Sequence, residues 1–269
     1  MALPARWSAL FLFALAASAF AEPAGPTSEI DRLREELGVS RVNAPSIEQV
    51  FDDLAVLEPI PFDKLWRPLP EHLPQDRPRM ALLAGNLIAD GFLLVKAERA
   101  SKIEPLGHGL VRIAKGLGIG ERLTKRGRHL MEMADHEHWT DIHHELIKTQ
   151  VEAEAALVAL KDDDLVYLVA MGGWLRGLEI TSSTVADTYT PERATHLFQP
   201  ELADNFLDRI RAFHPRLRNS TLIQALEKEL RGISDLVPDK GHERPYTLAE
   251  VKRIRDLTRD ADKIVASSE

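Results

Sequence analysis

The chain has no cysteine. That absence removes disulfide frameworks, lipid-modified cysteine, thiolate zinc sites and thiol catalysis together. Stability must therefore come from packing alone. A surplus of positive charge is lacking too: 34 Lys and Arg stand against 42 Asp and Glu, a net charge of −8. This sign is wrong for a nucleic-acid or anionic-membrane binder, whose affinity comes largely from neutralising phosphates.

Recognisable reaction motifs are missing as well. There is no Gly-x-Ser-x-Gly elbow, no Ser-x-x-Lys and no His-Glu-x-x-His in the sequence, so neither an activated serine nor a zincin-type site is written in it. "KGLGIGERLTKRG" fails as a phosphate loop, because no Gly-Lys-Ser/Thr follows and no strand precedes it. As a helix-hairpin-helix it has Thr124 and Gly127 where apolar residues are needed. It reads as a helix end, a glycine turn and a new helix carrying Arg122, Lys125, Arg126 and Arg128 as a small basic patch.

What is present begins with "MALPARWSALFLFALAASAFA": one positive charge at Arg6, an apolar run, and Ala19-Phe20-Ala21. This is the three-part pattern of a secretory signal peptide with cleavage after Ala21, and Glu22 and Pro23 end the run short of the ~20 residues that span a bilayer. The expectation is a periplasmic or secreted protein with no transmembrane segment after cleavage. About 248 residues would remain, enough for one core.

The periodicity predicts an all-α protein. Residues 22–78 hold N-terminal helices and a wrapping segment, Glu58–Pro78, whose six prolines forbid a regular helix and favour an extended path. Its Ile60, Phe62, Leu65, Trp66 and Leu69 argue that it packs on a surface. Residues 79–237 form the core, with helices expected over 79–101, 106–117, 121–134, 135–160, 162–187, 191–198, 201–213 and 220–237. Residues 238–269 give a loop and a C-terminal amphipathic helix over 248–266. Breaks fall at Pro105, Pro191, Pro200 and Pro215 and in the glycine turn. "GLEITSSTV" is locally strand-like. Two helices, about 79–101 and 162–187, lack a polar face and are therefore central. They share "L-[IV]-A-x-G" at Leu87, Ala89, Gly91 and at Leu168, Ala170, Gly172, the trace a duplicated unit would leave. Small residues recur every four positions at Ala81, Gly85, Ala89 and at Gly173, Gly177, a spacing that lets helix backbones approach closely.

Asp90 is the sharpest single residue. A carboxylate inside an apolar helix must be paired or hydrogen-bonded, since burying it alone costs several kcal/mol. Asn86 lies on its face, and Arg176 in the other central helix is the natural counter-ion. Two uses follow: a polar clasp fixing how the helices dock, or a pocket floor in which Asn86, Asp90, Arg176 and Glu179 read a small polar ligand.

A denser cluster, "HLMEMADHEHWTDIHHE", puts five of the ten histidines between His129 and Glu145. On a helix starting at Asp135, the stripe Trp139, Ile142, Leu146, Ala153, Ala156 and Leu160 faces inward, and Asp141, His144 and Glu145 share a polar edge near a partly buried His138. A metal would need ligands from His138, Asp141, His144 and Glu145. That set offers two or three at a time, where a structural site wants four converging atoms. The sequence thus points to an exported helical binding or scaffold protein of the bacterial cell envelope, with no cofactor, facing a small polar ligand or an envelope protein. A periplasmic metal-binding protein is the alternative, and an enzyme ranks below it.

Overall fold

The computed structural model describes residues 54–68, 70–197, 199–238 and 244–267. Among them are eleven helices and no strand, the expected all-α class. The signal-like segment and most of the N-terminal helices lie outside the described residues.

The chain enters along the proline-rich strap, which contains one short helix, α1 (Phe62–Leu65). Phe62 and Leu65 are buried, and Trp66 stacks on Phe62 at 5.9 Å, so the strap packs as its apolar residues require. Asp76 then caps α2 (Arg77–Lys96), its side chain accepting from the Arg79 N–H at 2.9 Å with proline in the first turn. Every residue from Arg79 to Val95 is buried. By length and composition α2 could cross a membrane, where no such segment is expected past the N-terminus. Here 89% of its most apolar window is buried inside the protein.

The break after α2 falls at Ala97–Arg99, where Glu98 has φ 52°, and not at Pro105. Helix α3 (Ala100–Gly116) runs through that proline. Ile103 and Leu106, on either side of it, are fully buried, so burial of a continuous face outweighs one lost backbone hydrogen bond. Gly118, at φ 81°, supplies the left-handed turn into α4 (Gly120–Ala134). Residues 135–137 form a turn, so α5 (Trp139–Ala159) begins four residues later than predicted. Leu160, placed by its spacing in the buried stripe, is half exposed just beyond it.

The second central helix, α6 (Asp163–Asp187), is buried from Leu165 to Val185. The strand-like hydroxyl run stays helical. Thr181, Ser182 and Thr184 each donate to carbonyls three or four residues back, which satisfies them inside the core. Thr190 accepts from the Arg193 N–H at 3.1 Å and leads into a 3₁₀ turn, Arg193–His196, instead of a longer helix. There follow α7 (Leu202–Ala212), the single turn α8 (Pro215–Arg218), α9 (Thr221–Ser234) and α10 (Leu248–Ala266). Ser220 caps α9, and Thr247 with Glu250 forms a capping box on α10.

The pair α2 and α6 forms the middle of the array. On one flank α3 lies on α2 and carries α4, while α5 packs against α4 and directly on both α2 and α6; on the other, α10 covers α6 and the edge of α2, then α9 and α7 complete the layer. Trp174 of α6 is fully buried, 5.0 Å from the Phe206 ring, and donates from its indole N–H to the Gln199 carbonyl. Gly85 and Gly172 let the two central backbones touch. A Cβ on Gly85 would clash with the Val169 carbonyl and the Gly173 amide, and one on Gly172 with the Leu82 carbonyl. Gly91, the counterpart of Gly172 in the shared motif, faces side chains of Leu146 and Leu106 instead. The two copies therefore do different structural jobs.

Candidate functional site

The side chain of Arg176 is completely buried, and each of its three nitrogens donates. Nε reaches Asp90 Oδ1 at 2.7 Å, Nη1 reaches Glu179 Oε2 at 2.8 Å, and Nη2 reaches the Leu65 carbonyl at 2.6 Å. Burial pulls this guanidinium down, but Asp90 and Glu179 outweigh it and hold Arg176 charged well above its ordinary value. One side chain thereby joins α2, α6 and the strap. A buried charge with every nitrogen satisfied is a stable arrangement; one with a partner removed is not.

The network extends beyond the four residues picked out by sequence. Arg67 of the strap bridges Glu179, at 3.0 Å, and Asp262 of α10. Arg259 donates from Nε to Glu179 at 3.3 Å, and Asn86 Nδ2 donates to Asp262 Oδ1 at 2.7 Å. Burial would push Glu179 up, yet Arg176, Arg67 and Arg259 together bring it below its usual range. Asp262 goes the other way: burial leads, Glu179 and Asp90 add to it, and Arg67 and Arg176 oppose it without prevailing. Three guanidinium groups thus face three carboxylates.

Two spaces adjoin this network. A cavity of about 10 Å³ lies against Arg176, Glu179 and Asp262, room for one water at most. A crevice of about 130 Å³ lies between strap, α2 and α10, lined by Arg67, Asn86, Asp90 and Asp262 with apolar walls from Leu83, Leu87 and Val265. Of the four sequence-predicted residues, Asn86 and Asp90 border the crevice, while Arg176 and Glu179 sit behind it as the clasp. Arg67, Asp262 and Arg259 were missed. Arg67 is hidden among prolines, and Asp262 borders the Ile254, Thr258, Ala261, Val265 stripe of α10, where an acid beside a buried face was the available signal.

Larger open hollows exist, including one of about 900 Å³ near the starts of α2, α6 and α9. Several of its charges are matched internally. Asp76 caps α2, Arg77 pairs with Asp162 at 2.7 Å, and Asp164 accepts the His214 N–H at 3.0 Å.

The histidine-rich segment does not converge. His138 is exposed rather than partly buried, with Nδ1 3.5 Å from Asp141 Oδ2, and His144 is exposed on the next turn. Glu145 leaves the predicted polar edge: it is buried, holds Arg126 at 3.0 Å, and lies 3.6 Å from His129. Arg126 also binds Glu152 at 2.5 Å, so the basic patch of α4 is partly spent on tying α4 to α5. No group of three or more metal-ligating side chains comes together among the described residues.

The class defined by these features is an all-α multi-helix bundle with an ion network at its centre. No protein-family model, curated protein or solved structure matches the chain.

Proposed function

We propose that this is an exported protein of the cell envelope that binds a small polar ligand, in a binding rather than a catalytic role, through the crevice between strap, α2 and α10. The observation that carries this reading is the crevice itself, where buried Asn86 and Asp90 border a space large enough for a small molecule. At about 130 Å³ it falls below the ~300–1,000 Å³ of sites for drug-sized ligands. Export is supported by the signal-like residues 1–21 and by the acidic balance of the chain.

Export is tested by expressing the full chain in a Gram-negative host and weighing the product from the periplasmic fraction. Protein beginning at Glu22 supports it; cytoplasmic protein that keeps its first 21 residues overturns it. Binding is tested by a thermal-shift screen of small polar compounds on the wild type and on Ala266→Trp, which plugs the crevice at its exposed rim. Hits that vanish in the plugged variant support the site, and hits that persist place the binding elsewhere.

A further inference from the structure

We infer that the crevice takes a small aliphatic ammonium ion, an assignment that rests on the crevice being the ligand site. The argument is an inventory of unspent hydrogen-bonding capacity. Among the described residues, the only donor to Asp90 is Arg176 Nε, which engages Oδ1; Oδ2 accepts nothing. Asn86 spends its Nδ2 on the Asp262 carboxylate. A carboxylate accepts, so the amide must present its NH₂ end to Asp262, and its carbonyl Oδ1 is left over. Both residues are more than nine-tenths buried and both border the crevice. The unspent atoms are therefore acceptors, and their complement is a donor.

Charge points the same way. Arg176, Glu179 and Arg259 lie outside the crevice lining, which itself carries one cation, Arg67, against two carboxylates, Asp90 and Asp262. His72 at the rim is exposed. A ligand anion would meet Asp90 Oδ2 and Asn86 Oδ1, oxygens with nothing to donate to it. An ammonium group donates three hydrogen bonds and adds one positive charge, which suits Asp90 Oδ2 and Asn86 Oδ1 together. The remaining walls, Leu83, Leu87, Val265 and the prolines of the strap, accommodate a short alkyl tail and no second charge. Size restricts that tail to a few carbons.

The test uses three probes of similar size on the full chain by ligand-observed NMR at neutral pH: n-butylammonium, n-butanol and butyrate. Saturable binding of n-butylammonium is expected, weakened about tenfold or more in Asp90→Asn, as loss of a charge-assisted bond requires, and abolished in Ala266→Trp. Ala266 is not itself a member of the ion network, so the plugged variant keeps the test valid should Asp90→Asn fail to fold. Preference for n-butanol or butyrate, lost in the plugged variant, overturns the ammonium assignment and leaves the crevice reading standing. Binding of none of the three, or binding of n-butylammonium that Ala266→Trp does not change, overturns both.

Discussion

Gly172 of α6 lies directly against the Leu82 carbonyl of α2, leaving no space for a side chain: a Cβ there would fall under 3.0 Å from backbone atoms that cannot move independently. Gly85 makes the reciprocal approach to Val169 and Gly173. The central crossing is thus set by two hydrogens. Gly172→Ala and Gly85→Ala should each force the helices apart and lose about 3 kcal/mol or more, at or beyond the upper range for overpacked cores. Gly232→Ala is the control. Its Cβ would meet only the Leu257 side chain, at 3.0 Å, and alanine's better helix propensity of ~1 kcal/mol should offset that crowding. Urea denaturation of the three variants checks the order, and equal effects would remove the argument.

Arg176→Met should be among the most damaging single substitutions. It leaves Asp90 and Glu179 buried with a partner missing, for which about 3–5 kcal/mol is typical. Removing the acid as well, in Arg176→Met with Asp90→Leu, should recover a large part of that loss. A cost under about 1 kcal/mol for Arg176→Met would mean that the clasp contributes little to docking α2 on α6.

Acidity should act on the two acids of the network with opposite sign. Glu179 has a folded value below its unfolded one, so its contribution is present above the unfolded value of about 4.3 and is lost as pH falls through the folded value. Asp262 has a raised folded value, so the native state binds its proton more tightly and gains as pH falls from that value toward the unfolded ~3.9. Asp262→Asn should therefore match or exceed the wild type in urea midpoint at pH 7, with the difference shrinking as pH falls toward 4. A large deficit at pH 7 would show instead that the ion pair to Arg67 dominates burial.

Pro105 sits in the sixth position of α3 without a backbone N–H to give. Its tolerance rests on the buried residues Ile103 and Leu106. Pro105→Ala restores the missing bond and should raise stability by about 1 kcal/mol or more, given the ~3 kcal/mol that proline costs inside a helix. A fall in melting temperature would mean that the proline shapes α3 in a way alanine cannot.

The helices, the two central ones and the pairing of Asp90 with Arg176 were legible because each follows from local pattern: apolar periodicity, or a charge with no polar face around it. The failures share a cause. Pro105 read locally as a break, and burial of a continuous apolar face overrode it. His138 read as a helical residue and is the non-helical residue flanking the start of α5. Glu145 looked like a surface acid because its partner Arg126 belongs to another helix. Arg67 and Asp262 were invisible as a pair because 195 residues separate them, and no spacing rule reaches that far.

That separation has a bearing on the order in which the native contacts close. Arg67 emerges from the ribosome long before Asp262, so the latch between strap and α10 has only one half until nearly two hundred further residues are made. Leu65 must likewise wait for Arg176, 111 residues later. The strap is consequently a late-docking element, seated only when α6 and α10 are both available to receive it. Until then the floor of the crevice stands open.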